Sequence, residues 1–271
     1  MNSGHEVIGI VEEAGEDITT FKKGNFVIAP FIHGCGHCAA CEAGFEGDCQ
    51  GHAMSENFSS GYQAEYVRYQ YANWSLIKIP EQPSDYTEGM IANFMALADV
   101  MPTGYHAARV AHVKTGDTVA IVGDEAVGLC AVIAAKLRGA KRIIIMSRHE
   151  DRQKLALEFG ATDIVAERGE EGIAKVKELT NGAGCDAVLE CVGTPHTGDI
   201  NIGDYWMVNL AMAGGPASCT TYDKEILLKA VLDGRINPDK VFTQSYKLED
   251  IYQAYKDMAD RKTIKAMIVM N

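Results

Sequence analysis

The stretch Thr118-Val119-Ala120-Ile121-Val122-Gly123-Asp124-Glu125-Ala126-Val127-Gly128, continued by the apolar run Leu129 to Leu137 and by Arg142-Ile143-Ile144-Ile145-Met146, decides the fold. A short β-branched run predicts a strand, the glycine-flanked turn leads into a helix, and the second aliphatic run predicts another strand. Asp117 to His149 therefore reads as a dinucleotide-binding crossover. In such a unit the first glycine permits the turn, the second lets backbone approach the pyrophosphate, and the third lets helix pack on strand, with phosphate at the helix N-terminus. Gly123 and Gly128 fill the first and third places, while Glu125 stands at the second and Ala126 and Val127 complete the turn. A carboxylate ~4 Å from a pyrophosphate costs roughly 1 kcal/mol in water and roughly 4 at an effective dielectric of 20. Glu125 thus handicaps the turn as a phosphate cradle.

The end of the second strand bears on which dinucleotide. A strand that recognises NAD usually ends in Asp or Glu, which accepts from the ribose 2′-hydroxyl. This one ends Ser147-Arg148-His149. Hydroxyl and guanidinium suit a 2′-phosphate, so NADP is expected over NAD.

Outward from the crossover, Asp163 to Val165 and Asp186 to Cys191 read as third and fourth strands, with Gly169 to Leu179 helical between them. That alternation implies a parallel, doubly wound sheet. Toward the N-terminus, Val7 to Val11, Asn25 to Phe31, Tyr62 to Arg68 and Trp74 to Ile79 read as short strands of an all-β region. Asp85 with Glu88 forms a capping-box pattern before a helix over Met90 to Leu97, which Pro102-Thr103-Gly104 is expected to interrupt. Near the C-terminus, Ile251, Ala254, Tyr255 and Met258 share one helical face, and Ile264 to Val269 is a final strand.

Between the early strands lies Cys35-x2-Cys38-x2-Cys41-x7-Cys49. Thiolates at such short spacing close a tetrahedron on zinc, and a closed four-sulfur site is structural, not catalytic. Disulfides and an iron–sulfur cluster are the alternatives. His33, His37 and His52 lie nearby, but four cysteines leave no coordination need for them. The scattered Cys130, Cys185, Cys191 and Cys219 sit in apolar surroundings and read as reduced core thiols, which points to a cytoplasmic protein.

The chain's 271 residues, 47% hydrophobic and 23% charged, are enough for two domains with their own cores. The formal charge of −12 argues against nucleic acid and against an anionic membrane surface. No apolar run approaches a membrane span, and Met1 to His5 has no signal-peptide pattern.

Gly4-His5-Glu6 leading into a strand, the four-cysteine lobe, Asp99 within Ala98 to His106, and the glycine-rich crossover together resemble the zinc-dependent medium-chain alcohol dehydrogenases, over nearly the whole chain. Within that family, Asp99 and the Ser147-Arg148 pair resemble the NADP-dependent secondary alcohol dehydrogenases. The resemblance implies an α/β protein: a truncated GroES-like β domain with the structural zinc lobe over 1–98, and a Rossmann-type domain over 99–218. A segment over 219–271 returns to the first domain. It implies a catalytic zinc on His5 and Asp99, with Glu6 as the acidic neighbour that supplies an oxygen. A catalytic zinc of this kind needs about three protein ligands and an open position, and acts as a Lewis acid on the substrate oxygen. Thr103 matches a threonine near the nicotinamide, Cys191-Val192-Gly193 the strand end lining the cofactor cleft, and Lys265 a basic residue meeting the pyrophosphate.

The sequence departs from the family pattern at three places. It begins just before Gly4, which reads as N-terminal shortening that removes the first zinc ligand, a proton-relaying Ser or Thr and the opening strands. It passes from Gly193 through Thr194 to Gly198 without the usual strand and helix, and it carries Glu125. Lost barrel strands would leave open edges, hence marginal stability or pairing with another chain. The leading expectation is an oxidoreductase interconverting a small secondary alcohol and its ketone or aldehyde. The alternative is a non-catalytic zinc-bound scaffold or partner subunit of the same fold. Family members pair through the Rossmann sheet edge, which leaves a homo-oligomer open.

Overall fold

A computed structural model describes residues 4–51, 61–192, 210–214 and 221–270, the side chains of Thr221 and Tyr222 excepted. The chain divides into two compact units, Met1–Thr103 with Pro216–Asn271, and Gly104–Gly215.

The first unit opens on β1 (Val7–Ile10), antiparallel to β2 (Phe26–Ala29), which pairs in turn with β3 (Ile77–Lys78). Two one-turn helices, α1 (Ala39–Glu42) and α2 (Ala72–Ser75), lie in the connection. After β3 come α3 (Glu88–Ala96) and α4 (Val100–Val110), and the boundary between units falls inside α4. Fully apolar β2 is buried at every position, and Ile28, Ile79, Phe94, Leu97 and Met101 form its core. Phe94 meets Phe26 and Tyr86 edge-on, at 6.2 and 4.9 Å between ring centroids.

The second unit is the crossover and its continuation. Parallel strands β4 (Thr118–Val122), β5 (Arg142–Met146), β6 (Asp163–Val165) and β7 (Ala187–Glu190) stand in the order β6-β5-β4-β7. They are connected by α5 (Ala126–Leu137), α6 (Glu150–Phe159) and α7 (Gly169–Leu179). Three residues in the middle of both β4 and β5 are buried, as a sheet covered on both faces demands. The strand order reverses beside β4, and the carboxyl ends at such a reversal are where α/β sheets bind ligands.

The first unit closes with α8 (Thr221–Leu232), β8 (Phe242–Lys247), α9 (Ile251–Ala259) and β9 (Lys265–Val269), β8 and β9 forming a parallel pair.

Five local expectations are corrected. Tyr62 to Arg68 is not a strand. Its side chains do not alternate, since Tyr62 is buried while Tyr66 is exposed, and Tyr69 donates to the Pro30 carbonyl. Trp74 to Ile79 yields only the two residues of β3, because Tyr71 turns left-handed at φ 53° and α2 follows. There Asn73 Oδ1 accepts from the Thr19 and Thr20 amides, and Trp74 Nε1 donates to Glu46, so both side chains serve distant loops. Pro102 does not break a helix but sits in the first turn of α4, where its missing N–H costs nothing. Gly104 lies where α4 meets α5, and a Cβ there would come within 2.6 Å of the Ala131 nitrogen. Thr87, not Asp85, caps α3, its Oγ1 accepting from Met90 N, while Asp85 accepts from Gln82 N one turn earlier. On α9, Tyr255 faces out and Asp257 is buried instead, accepting from Tyr246 and Gln253.

Candidate metal and cofactor sites

The cysteine lobe is preformed. The ligand atoms of Cys35, Cys38, Cys41 and Cys49 all lie within 4.8 Å of one another, with Cys38 and Cys49 Sγ 3.9 Å apart. Zinc–sulfur bonds of about 2.3 Å in a tetrahedron require sulfurs about 3.8 Å apart, so the lobe fits the ion. Backbone amides reinforce it: Cys35 N and Gly51 N point at Cys49 Sγ, and Gln50 N at Cys38 Sγ. Hydrogen bonds from Cys41 and Gln50 amides lower the Cys38 thiol to about 6, which prepares one thiolate before metal arrives. Burial pushes the Cys41 and Cys49 thiols up. His37 Nδ1 bonds the Cys35 carbonyl, and His33 stacks on Tyr71. His52 and Cys219 lie outside the described residues.

The lobe is tied down by a charge pair that sequence reading missed. Glu46, between Cys41 and Cys49, accepts from Lys224 Nζ of α8 at 2.7 Å and from Trp74 Nε1 at 3.0 Å, with the Glu46 and Lys224 side chains 1% and 3% exposed.

A second cluster forms just before β1. His5 Nε2 donates to Asp99 Oδ2 at 2.9 Å, Thr103 Oγ1 donates to Asp99 Oδ1 at 2.8 Å, and Lys265 Nζ donates to Glu6 Oε2 at 2.5 Å. Asp99 occupies the N-cap position of α4, its carbonyl accepting from Thr103 N. One ligand atom each of His5, Glu6 and Asp99 fall within 4.8 Å of one another. Glu6 Oε1 is buried and has no hydrogen-bond partner among the described residues. An unsatisfied buried carboxylate oxygen beside an imidazole and a second carboxylate fits a divalent cation. Burial raises the Glu6 carboxyl, against the pull of Lys265. Burial would raise Asp99 too, but the hydrogen bond from His5 and the Lys265 charge hold it below the usual carboxylate range. The same bond to Asp99 raises His5. Lys265, expected at the pyrophosphate, pairs here with Glu6 of the carboxylate cluster.

In the second unit, Gly123 turns at φ 113°, and a Cβ there would press on Cys191 and Val192 at 3.2–3.3 Å. At Gly128 a Cβ would lie 2.1 Å from the Gly123 carbonyl oxygen, so only glycine lets α5 begin against its own turn. Glu125 stands at the N-cap of α5 but its side chain makes no capping bond, which leaves the helix N-terminus to an anion. That side chain is 72% exposed and lies 3.7 Å from Arg152 Nη1.

Ser147, expected with Arg148 at a 2′-phosphate, is fully buried and donates to Asp124 Oδ2 at 2.7 Å. His149 Nδ1 donates to the same oxygen at 2.7 Å, and Arg152 Nη1 to Asp124 Oδ1 at 3.1 Å. Burial opposes ionisation of Asp124, but these donors outweigh it and hold the carboxyl at about 2. Arg148 alone of the expected pair is exposed. Burial raises the half-buried Cys191 thiol to about 12, and Val192 is exposed. Gly193 and the shortened connection after it lie outside the described residues.

Two units, one carrying a four-sulfur lobe and a His-Glu-Asp cluster and the other a parallel sheet with a glycine turn at its switch point, define a zinc-binding, nucleotide-binding class of protein. Family models agree: one for an alcohol dehydrogenase GroES-like domain matches residues 1–81, and one for a zinc-binding dehydrogenase matches residues 126–202. The chain is 37% identical over 199 residues to zinc-type alcohol dehydrogenase B of Aspergillus flavus, covering 70% of this chain and 45% of that protein. It is 33% identical over 200 residues to the NADP-dependent isopropanol dehydrogenase of Clostridium beijerinckii, covering 73% and 55%. The solved alcohol dehydrogenase TADH from Thermus sp. ATN1 superposes with a TM-score of 0.87 at 25% identity, covering 99% of this chain and 84% of that one. The chain belongs to the zinc-dependent medium-chain alcohol dehydrogenase family. By sequence it spans about half the length of the curated relatives it matches. Among the described residues, no helix is long and apolar enough to cross a membrane.

Proposed function

We propose that this chain is an oxidoreductase that interconverts a small secondary alcohol and its ketone or aldehyde with NADP. One observation carries the reading: a ligand atom each of His5, Glu6 and Asp99 converge, and Glu6 Oε1 is buried with no hydrogen-bond partner among the described residues. Zinc held there would supply Lewis acidity, and the nicotinamide would carry the hydride. The chain's own residues do the rest. Thr103 fixes one Asp99 oxygen, so that the other faces His5, and Lys265 offsets the charge of Glu6 without occupying Oε1. Gly123 and Gly128 set the turn, and the uncapped α5 N-terminus presents backbone amides for a pyrophosphate. Exposed Arg148 supports NADP over NAD. The closely spaced lobe cysteines, which suit a metal, support a cytoplasmic setting.

Zinc per chain, measured after removal of loosely held metal, tests this reading. A value near two fills both clusters, and turnover of short ketones with NADPH then follows. A value near one, with no turnover on that panel, would favour a zinc-bound scaffold of the same fold, a reading supported by Glu125 in the phosphate turn.

A further inference from the structure

The Asp124 cluster belongs to neither metal site and its residues are all polar, yet it sits at the carboxyl ends of β4 and β5, where a dinucleotide's adenosine half would lie. Its geometry constrains the residue between its members. Ser147 N continues the strand ladder to the Val165 carbonyl, and His149 is extended at φ −99°, ψ 115°. In extended backbone, alternate side chains point to opposite sides. Ser147 and His149 both reach inward to one Asp124 oxygen, so Arg148 between them is turned outward, where it is exposed. Gln153 Nε2 pins the Ser147 carbonyl at 2.7 Å and holds the turn from its other side. Asp124 meanwhile has both oxygens engaged, and is 5% exposed, so it is not available to accept from a ribose hydroxyl.

We infer that Asp124 is a positioning residue for cofactor choice: by drawing Ser147, His149 and Arg152 onto one carboxylate, it aims Arg148 at a 2′-phosphate and withdraws the buried carboxylate of the two turns from a 2′-hydroxyl. This rests on the dinucleotide reading above. It assigns specificity to a residue in the first turn that acts through the second.

The test is calorimetric titration of the zinc-loaded full chain with 2′,5′-ADP and with 5′-AMP, a readout independent of turnover. The native chain is expected to bind 2′,5′-ADP roughly tenfold or more tightly than 5′-AMP, the size of one charge-assisted phosphate contact. Arg148→Ala removes that preference. Asp124→Asn lowers it, and because that change strands Arg152, the pair Asp124→Asn with Arg152→Met is measured too. A general loosening weakens both nucleotides alike, whereas loss of aim moves their ratio. If Arg148→Ala abolishes the preference and both Asp124 variants keep it, the positioning role is overturned and the cofactor reading stands. If the native chain binds neither nucleotide, or both equally, the cofactor reading fails and this inference with it.

Discussion

Gly128, Asp124 and Glu125 show how much of the second unit depends on single side chains. A methyl at position 128 would fall 2.1 Å from a backbone oxygen that cannot swing away. Gly128→Ala is therefore expected to cost at least about 1–3 kcal/mol, read as a lower melting temperature of the second unit. Asp124 is held at about 2 in the folded chain, below its unfolded value of about 3.9. Its contribution, roughly 2 kcal/mol, is full above pH ~4 and is lost as the pH falls through ~2. Acid unfolding followed by circular dichroism should show the native chain's advantage over Asp124→Asn closing in that window. Glu125 is the third case. Its side chain is exposed and near Arg152, so its repulsion of a pyrophosphate acts through water and takes the smaller value, about 1 kcal/mol. Glu125→Gly should tighten 2′,5′-ADP about fivefold, and no change would place the carboxylate clear of the phosphates.

At the scale of elements, the buried Lys224–Glu46 pair fastens α8 to the cysteine lobe. Removing one partner of such a pair strands a charge and costs about 3–5 kcal/mol, whereas replacing both with apolar or neutral groups is often nearly neutral. Denaturant unfolding should therefore rank Lys224→Met well below the double variant Lys224→Met, Glu46→Gln. Nothing local announces this pair: Glu46 reads as one more polar residue of a loop, and Lys224 lies 178 positions away. Elements whose periodicity is strong, β4, α5, β5 and α7, stand where the sequence places them, because a buried strand or an amphipathic helix is dictated by its own residues. The segment Tyr62 to Arg68 fails as a strand: Tyr62 is buried against Tyr69 while Tyr66 stays exposed, an arrangement that β propensity alone does not foresee.

For the whole molecule, the two units draw on different resources. The second buries the aliphatic faces of a parallel sheet, while the first unit's small sheet is supplemented by the cysteine lobe. Because metal held by a preformed lobe contributes directly to folding, a zinc chelator should lower amide-exchange protection in Phe26–Ala29 and around the lobe, and leave Thr118–Val122 and Arg142–Met146 protected. Equal loss in both regions would refute that division. The sequence by itself determined the crossover, the order of its elements and the four-cysteine lobe, because strand and helix periods and close ligand spacing are local properties. The family resemblance had already joined His5 to Asp99, but only the tertiary structure decided that Lys265 meets Glu6 across 259 positions and that Asp124 gathers the turn after β5. Which donor reaches which carboxylate depends on how the elements pack, and no period or motif in the chain encodes those distances.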